Sequence, residues 1–382
     1  MSPATLAETD WGAIGERARG TTVRYATWAG EEARNRFFDG PVTEALQREL
    51  GIALEIVPLA DTADLVNKLL NEKAGGRRTE GGVDLVWING ENFRTAKQGA
   101  LLWGPFAEKL PNVRYFDAVA RARDFGTATE GYEAPWQESQ FVFAYDTARV
   151  ERPPTTLDAL RAWVAANPGR FTYPAIPDFT GSAFVRQVLL HSGESPDAFS
   201  RAFDPDLYAR ASSRALAFLT EIAPHLWRKG ETYPATVADM DRLFANGEID
   251  FSMNYGPTFA SEKIARGEFP ATVRTFVLDE GTLHNYSFLA IPFNAANVPG
   301  ALAVTNYLMS PGHALARSLA LGGLFPMKRE LLTEQERELA SQLPRGLATL
   351  PLDILVAHRI AEADAEYLVR FERDWRAQVL QR

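Results

Sequence analysis

The sequence offers few side chains that could make or break covalent bonds. It contains no cysteine, which excludes thiolate nucleophiles, disulfides and thiolate-ligated metal clusters. The five histidines are scattered, without the helical spacing that pairs two imidazoles on one face; they are His191, His225, His284, His313 and His358. Motifs of serine hydrolases, phosphate loops, dinucleotide-binding turns and zinc proteases are also absent. We therefore predict no catalytic residue, no metal and no cofactor, with a carboxylate-based hydrolase as the alternative that abundant Asp and Glu leave open.

Residue types that suit reversible binding of a small molecule stand at the ends of the expected strands. Trp28 closes the first strand and Asn89 follows the third, whereas Asn254 and Tyr255 end a strand of the second half. In open α/β sheets a ligand lies beyond the carboxyl ends of the strands. Aromatic faces supply contact area at low entropic cost, and amides orient a polar ligand. This combination favours holding a small polar molecule over converting it.

Two further positions allow more than one interpretation. Thr180, Gly181 and Ser182 open a helix, where free N–H groups and the helix dipole attract an anion. The same residues are equally typical of an ordinary helix cap. Glu138 either faces a cationic ligand or is a solvated residue near a hinge.

Alternating strands and helices in the first hundred residues must position these side chains. The runs 22–27, 53–57 and 83–88 predict strands, and the third is apolar on both faces as in a buried parallel strand. Asp61 predicts the N-cap of a helix between the last two. This order implies a right-handed, open, mostly parallel sheet. Strands of the second half are predicted at 141–145, 171–176, 249–253 and 286–291, with helices between them and a mainly helical pattern after 298.

Composition is that of a soluble globular protein of two or three domains. The chain has 382 residues, of which 46% are hydrophobic and 23% charged. A net charge of −9 without any basic stripe argues against nucleic acid as a partner. No apolar run is long enough for a membrane span, and residues 1–20 lack the apolar core of a signal peptide.

Five segments, in a fixed order along nearly the whole chain, carry a resemblance to a known family. They are WQESQFVFAYD at 136–146, PPTTLDAL at 153–160, FANGEIDF at 244–251, GTLHNYSFLAIPFNAA at 281–296 and LMSP at 308–311. In this order they resemble the extracellular solute-binding proteins of ABC importers, the group that includes maltose-, iron- and thiamine-binding proteins. The segment 83–104 most resembles the YnjB-type branch, near the thiamine-binding proteins. Leu157 departs from the family pattern, which usually has tryptophan there.

The resemblance implies an α/β fold of the type II periplasmic-binding kind. Two lobes, each an open, mostly parallel sheet flanked by helices, would be joined by crossing hinge strands and would close on ligand. The N-terminal lobe would comprise 1–138 and 288–330, and the C-terminal lobe 139–287 and 331–382. The protein would be a periplasmic monomer without enzymatic activity, exported and freed of its signal peptide. It would deliver a small-molecule solute to a membrane permease without inserting into the membrane itself.

The same resemblance implies a set of ligand contacts. These are Trp28, Asn89, Trp136, Glu138, Thr180, Gly181, Ser182, Asn254, Tyr255, Asn285 and Tyr286. Aromatic side chains with a carboxylate favour a cationic or thiamine-like solute, through cation–π contact. The helix start at 180–182 instead favours a phosphorylated or carboxylated solute. The family members that bind ferric ion use adjacent tyrosines, and no Tyr-Tyr pair occurs here.

Overall fold

The chain divides into two compact units, each built from separate stretches of sequence. The computed structural model describes residues 2, 5–6, 10–29, 32–118, 121–193, 195–325, 327–343 and 345–380. The first unit comprises Met1–Glu138 and Tyr286–Leu343, and the second comprises Ser139–Asn285 and Pro344–Arg382. The first unit therefore extends to Leu343, whereas the sequence suggested 330. The helical pattern after 298 contains no composition change that would mark this boundary.

Strands and helices alternate through most of the described residues. The strands are β1 (Thr22–Trp28), β2 (Ala53–Leu59), β3 (Leu85–Ile88), β4 (Leu102–Trp103), β5 (Arg123–Asp124), β6 (Thr127–Ala128), β7 (Glu133–Gln140), β8 (Val142–Asp146), β9 (Phe251–Asn254), β10 (Val273–Phe276), β11 (Thr282–Pro292) and β12 (Arg359–Ala361). The helices are α1 (Trp11–Ala18), α2 (Glu32–Phe37), α3 (Thr43–Leu50), α4 (Thr62–Ala74), α5 (Gly90–Gln98), α6 (Leu157–Ala166), α7 (Phe179–His191), α8 (Pro196–Phe199), α9 (Pro205–Ile222), α10 (Val237–Ala245), α11 (Phe259–Ala265), α12 (Val298–Leu308), α13 (Pro311–Leu321), α14 (Glu334–Ser341), α15 (Leu352–Ala357) and α16 (Ala365–Trp375). Within the described residues, no helix is both long enough and apolar enough to cross a membrane.

The first unit is organised around a mixed sheet in the order β11-β3-β1-β2. Strand β1 runs parallel to both β2 and β3, as the sequence predicted, while β11 pairs antiparallel with β3. Asp61 caps α4 as expected, since its carboxylate accepts a hydrogen bond from the N–H of Ala63 at 2.8 Å. Parallel pairing brings the carboxyl ends of β1 and β3 to the same edge of the sheet. Trp28 and Asn89 therefore stand at one edge.

The second unit is built around a different sheet, in the order β10-β8-β9. Strand β8 pairs antiparallel with both neighbours, so the predicted mostly parallel arrangement does not extend to this unit. The long helical connection between β8 and β9 looks like a parallel crossover in sequence, but it starts and finishes at the same end of the sheet. Aromatic packing fills the core, with Phe143 stacked on Phe276 at 5.1 Å between ring centroids.

The predicted strand at 171–176 is absent, although the segment is largely buried. Its backbone bonds to loops: the carbonyl of Phe171 accepts from Trp227 N–H at 2.8 Å, and Ala175 N–H donates to Pro234 at 2.8 Å. Pro174 has no N–H to donate to a ladder. The apolar run is therefore a buried connection.

Candidate ligand-binding site

The sheet edge of the first unit presents an exposed indole. Trp28, the last residue of β1, is 37% exposed and its ring lies 6.4 Å from that of Trp87, which is half-buried on β3. Asn89 is half-buried at the N-cap of α5, and its side chain makes no capping hydrogen bond. Both predicted residues thus have side chains that remain accessible to a ligand.

Arg34 of α2 lies beneath this edge, although nothing in the sequence marks it as a candidate site residue. The residue is buried, and its guanidinium donates to the carbonyl of Trp28 at 2.6 Å and to Oγ1 of Thr27 at 2.8 Å. The guanidinium also stacks on the rings of Trp87 at 4.9 Å and Trp136 at 5.7 Å. It therefore places a positive charge directly under the aromatic edge.

A second buried arginine, Arg317 of α13, adds to this charge. One of its N–H groups donates to the carbonyl of Leu324 at 2.8 Å, while its Nε has no hydrogen-bond partner among the described residues. Burial, and then the charge of Arg34, lower the pKa of Arg317 to about 10, and the carboxylate of Glu138 opposes this shift. Arg317 thus lies in the field of both the Arg34 guanidinium and the buried Glu138 carboxylate.

Trp136 and Tyr286, both predicted ligand contacts, are core residues of the first unit. Trp136 is buried and packs edge-on against Phe38, with ring centroids 5.9 Å apart. Tyr286 is buried against Phe116 at 5.9 Å. The aromatic run on β7 and β11 gives no sign of which side of the strand faces the core. Asn285, the remaining predicted residue of β11, is half-buried in the second unit.

Two buried carboxyl groups lie behind Asn89. Asp124 accepts a hydrogen bond from the N–H of Gly90 at 2.5 Å, which ties the β5–β6 hairpin to the end of β3. Neither carboxyl oxygen of Glu133 has a hydrogen-bond partner among the described residues. Burial, reinforced by the charge of Asp124 and opposed by Lys97, raises the pKa of Glu133 well above its usual range. Asp124 thus supports the loop that carries Asn89.

The start of α7 in the second unit is already occupied by a carboxylate from the same chain. Asp178 accepts hydrogen bonds from the N–H groups of Thr180 at 2.9 Å and Gly181 at 3.0 Å. A Cβ on Gly181 would lie 2.0 Å from the carbonyl oxygen of Pro174, so the glycine permits close helix packing. Of the two interpretations of this segment, these contacts support the ordinary helix cap.

Ser182 and Tyr255 belong to a buried ionic network in the second unit. Glu362 binds Arg186 through two hydrogen bonds of 3.0 Å and accepts a third from the Tyr255 hydroxyl at 2.6 Å. Ser182 accepts from Arg186 at 2.6 Å and donates to Glu372. Both predicted residues therefore have hydrogen-bond partners within the unit.

Phe179 is the exposed side chain of this region that sequence reasoning missed. It is 47% exposed at the first position of α7, and its ring lies 5.2 Å from that of Tyr255 and 5.5 Å from the Arg186 guanidinium. Asn254, by contrast, uses its side-chain oxygen to accept from Gly256 N–H at 2.9 Å. An aromatic residue directly after an Asp cap was the available signal for Phe179.

The comparisons with known proteins define the class of molecule. Residues 42–341 match the model of the bacterial extracellular solute-binding protein family, and the chain belongs to that family. It is a solute-binding component of an ABC transporter, of the extracellular or periplasmic class, and not an enzyme. Among the described residues, no three His, Asp or Glu side chains are grouped so that they could hold a metal ion.

Individual relatives agree with this assignment. Protein YnjB of Escherichia coli (strain K12) is 38% identical over 370 residues, covering 96% of this chain and 93% of the relative. A putative spermidine/putrescine ABC transporter from Listeria monocytogenes has the same fold, with a TM-score of 0.63, 15% identity and coverage of 93% of this chain and 98% of that one. The periplasmic binding protein AfuA from Actinobacillus pleuropneumoniae, with fructose-6-phosphate bound, gives a TM-score of 0.62 and 14% identity over 95% of this chain and 99% of that one. The predicted two-lobe periplasmic-binding fold is thereby confirmed.

Proposed function

We propose that this protein captures a small solute bearing a carboxylate or phosphate group and delivers it to the permease of an importer. The observation that carries the proposal is the charge at the sheet edge of the first unit. Arg34 and Arg317 are both buried, and Glu138 is the carboxylate whose charge acts on Arg317. A buried positive charge in excess of its partners is costly, and an anionic ligand would relieve it.

The position of Glu138 beside a buried arginine also favours an anionic solute over a cationic one. From sequence alone, this carboxylate is either the partner of a cationic solute or a solvated residue near a hinge. Its charge already acts on Arg317, so its attraction for a second cation is reduced. The phosphate of the sugar named for AfuA belongs to the solute class that we propose here.

A cationic solute is the second candidate, and Trp28 is the observation that favours it. An exposed indole beside a second indole is typical of sites that bind amines through cation–π contact. The spermidine/putrescine name of the Listeria relative is in keeping with this class. Arg34, however, already stacks on Trp87 as an internal cation.

Calorimetric titration with matched ligand pairs tests the proposal. Fructose 6-phosphate, thiamine monophosphate and a dicarboxylate would be compared with fructose, thiamine and spermidine, after native mass spectrometry of any co-purified molecule. We expect a phosphorylated ligand to bind at least about tenfold more tightly than the same molecule without its phosphate, since a charged hydrogen bond contributes roughly 1.5–3 kcal/mol. Binding of spermidine or thiamine, with no anion bound, would support the cationic candidate instead.

Variants of the first unit sharpen this test. Arg317→Gln should weaken binding of the anion by about tenfold or more, because it removes one of the two positive charges. Trp28→Ala should weaken binding with little loss of stability, since its side chain is partly exposed. Arg36→Gln is the matched control, because Arg36 is an exposed arginine on the same helix as Arg34 and pairs with Glu32.

Closure of the two units on the solute, a monomeric state and removal of a signal peptide are expectations that come from the family. Small-angle X-ray scattering with and without the bound anion would test closure, which predicts a smaller radius of gyration in the complex.

A further inference from the structure

A cavity of about 450 Å³ lies in the second unit, and none of the predicted or proposed ligand contacts lines it. Its size falls in the roughly 300–1,000 Å³ range of small-molecule sites. Trp227, Tyr233, Pro234 and Leu243 supply apolar walls, and Arg228 and Arg242 supply charge. Asp239 is the carboxylate of the lining, and it pairs with Arg242. The guanidinium of Arg228 has no ion-pair partner within the part of the chain that the structure describes.

The backbone that carries Arg228 is strained. Arg228 and Lys229 have φ values of 49° and 58°, and Gly230 follows with a φ of 67°. Left-handed backbone is unfavourable for residues with a Cβ, and such strain clusters at binding sites. Gly230 is required, because a Cβ there would lie 2.4 Å from the carbonyl oxygen of Ala223. Glycine would also relieve the strain at 228 and 229, yet the chain has two long basic side chains there.

The strained turn determines where the Arg228 side chain lies in the cavity wall. The Lys229 N–H donates to the carbonyl of Leu226 at 2.8 Å, which holds the turn in place. The Arg228 guanidinium then lies 4.3 Å from the centre of the Trp227 ring, at the wall of the cavity. A guanidinium stacked on an indole keeps its N–H edge available for hydrogen bonds.

We propose that this cavity is a second binding site, for a small planar carboxylate or phosphate ester. The anionic group would pair with the unpaired Arg228, and the flat body would lie against the aromatic and apolar walls. The site is separate from the proposed anion site, since every lining residue belongs to the second unit whereas Arg34 and Arg317 belong to the first. Binding there would leave capture by the first unit available.

The test uses 2-naphthoate as a planar carboxylate, with cyclohexanecarboxylate, 2-naphthol and inorganic phosphate as comparison probes. Binding is measured by calorimetry on the full chain carrying Arg317→Gln, which removes one of the two positive charges of the first unit and so weakens the proposed anion site there. We expect 2-naphthoate to bind at least tenfold more tightly than the non-planar acid and the uncharged ring. Arg228→Gln should weaken its binding at least tenfold.

Two glycine variants separate binding from folding. Arg228→Gly and Lys229→Gly both relieve a left-handed residue, so both should melt at or above the temperature of the parent protein. Only Arg228→Gly should lose 2-naphthoate binding, because Lys229 does not line the cavity. Equal binding in Arg228→Gln and its parent, or no binding of 2-naphthoate at millimolar concentration, would overturn the proposal. Tight binding of an acidic peptide with none of the small probes would likewise overturn it, in favour of a protein-docking surface.

Discussion

His313 is the residue whose effect on stability can be worked out most directly from the structure. Its imidazole is buried among aromatic rings of the first unit, 5.6 Å from Tyr307 and 6.4 Å from Trp136, and its Nε2 has no hydrogen-bond partner among the described residues. Burial, and then the charge of Arg317, lower the pKa of His313 to about 3. The folded protein therefore holds this imidazole in its neutral form.

The sign of the pH effect follows from this depressed pKa. The unfolded chain takes up a proton at His313 near the usual value of 6.5, whereas the folded chain resists it down to about pH 3. The stability that His313 contributes is therefore complete above the unfolded pKa and is lost as the pH falls. This residue alone should remove about 2 kcal/mol of unfolding free energy between about pH 8 and pH 5, and about 3 kcal/mol by about pH 4.

Replacing His313 with phenylalanine tests this value, because the ring is retained and the titration is removed. Urea unfolding would be followed by tryptophan fluorescence at several pH values between about 8 and 4, for both proteins. Over this range the free energy of unfolding of the parent should fall by about 3 kcal/mol more than that of His313→Phe. A packing cost of the phenylalanine ring that does not depend on pH leaves this difference unchanged. If His313→Phe and the parent lost stability in parallel, the imidazole would not be held neutral and the reasoning would be refuted.

Three further predictions concern buried groups. Ionising the buried Glu133 is costly, so the free energy of unfolding of the parent should fall as the pH rises from 4.5, the usual carboxyl pKa, towards the raised pKa in the folded protein. Glu133→Gln should make this fall smaller, and an unchanged dependence of the unfolding free energy on pH would contradict the prediction. Tyr255→Phe should cost about 1–3 kcal/mol in urea unfolding, because the buried Glu362 loses a 2.6 Å hydrogen bond, and an unaffected midpoint would argue against the ionic network. Gly181→Ala should cost about 1–3 kcal/mol or more, because its Cβ would strike the carbonyl of Pro174, and a melting temperature equal to that of the parent would show that the helix can move away.

The elements of the first unit could be predicted largely from local sequence. The Asp61 cap, the strand at 22–27 and the buried strand ending near Ile88 depend on neighbouring residues, and the structure confirms each of them. Pairing of strands in the second unit could not be predicted in the same way. Whether β8 runs parallel or antiparallel to β9 depends on where the long helical connection between them ends, and no single residue determines that position.

The electrostatic part of the site depends on contacts that are distant in sequence. Arg34 and Arg317 look like ordinary charges on helices, and only the fold brings them into one field. Burial is equally invisible in the sequence: Trp28 ends β1 and Trp136 lies within β7, yet Trp28 is partly exposed and Trp136 is in the core. The predicted contacts at Trp28 and Asn89 stay predictions, now with accessible side chains to support them.

The discontinuous first unit has a consequence for how the protein is made. Strand β11 occupies the place beside β3 in its sheet, and α12 and α13 follow later still in the chain. A ribosome must therefore synthesise most of the polypeptide before the N-terminal half can complete its own sheet. Until then β3 has an unpaired edge, and the pairing that completes the sheet joins residues far apart in sequence, which slows folding.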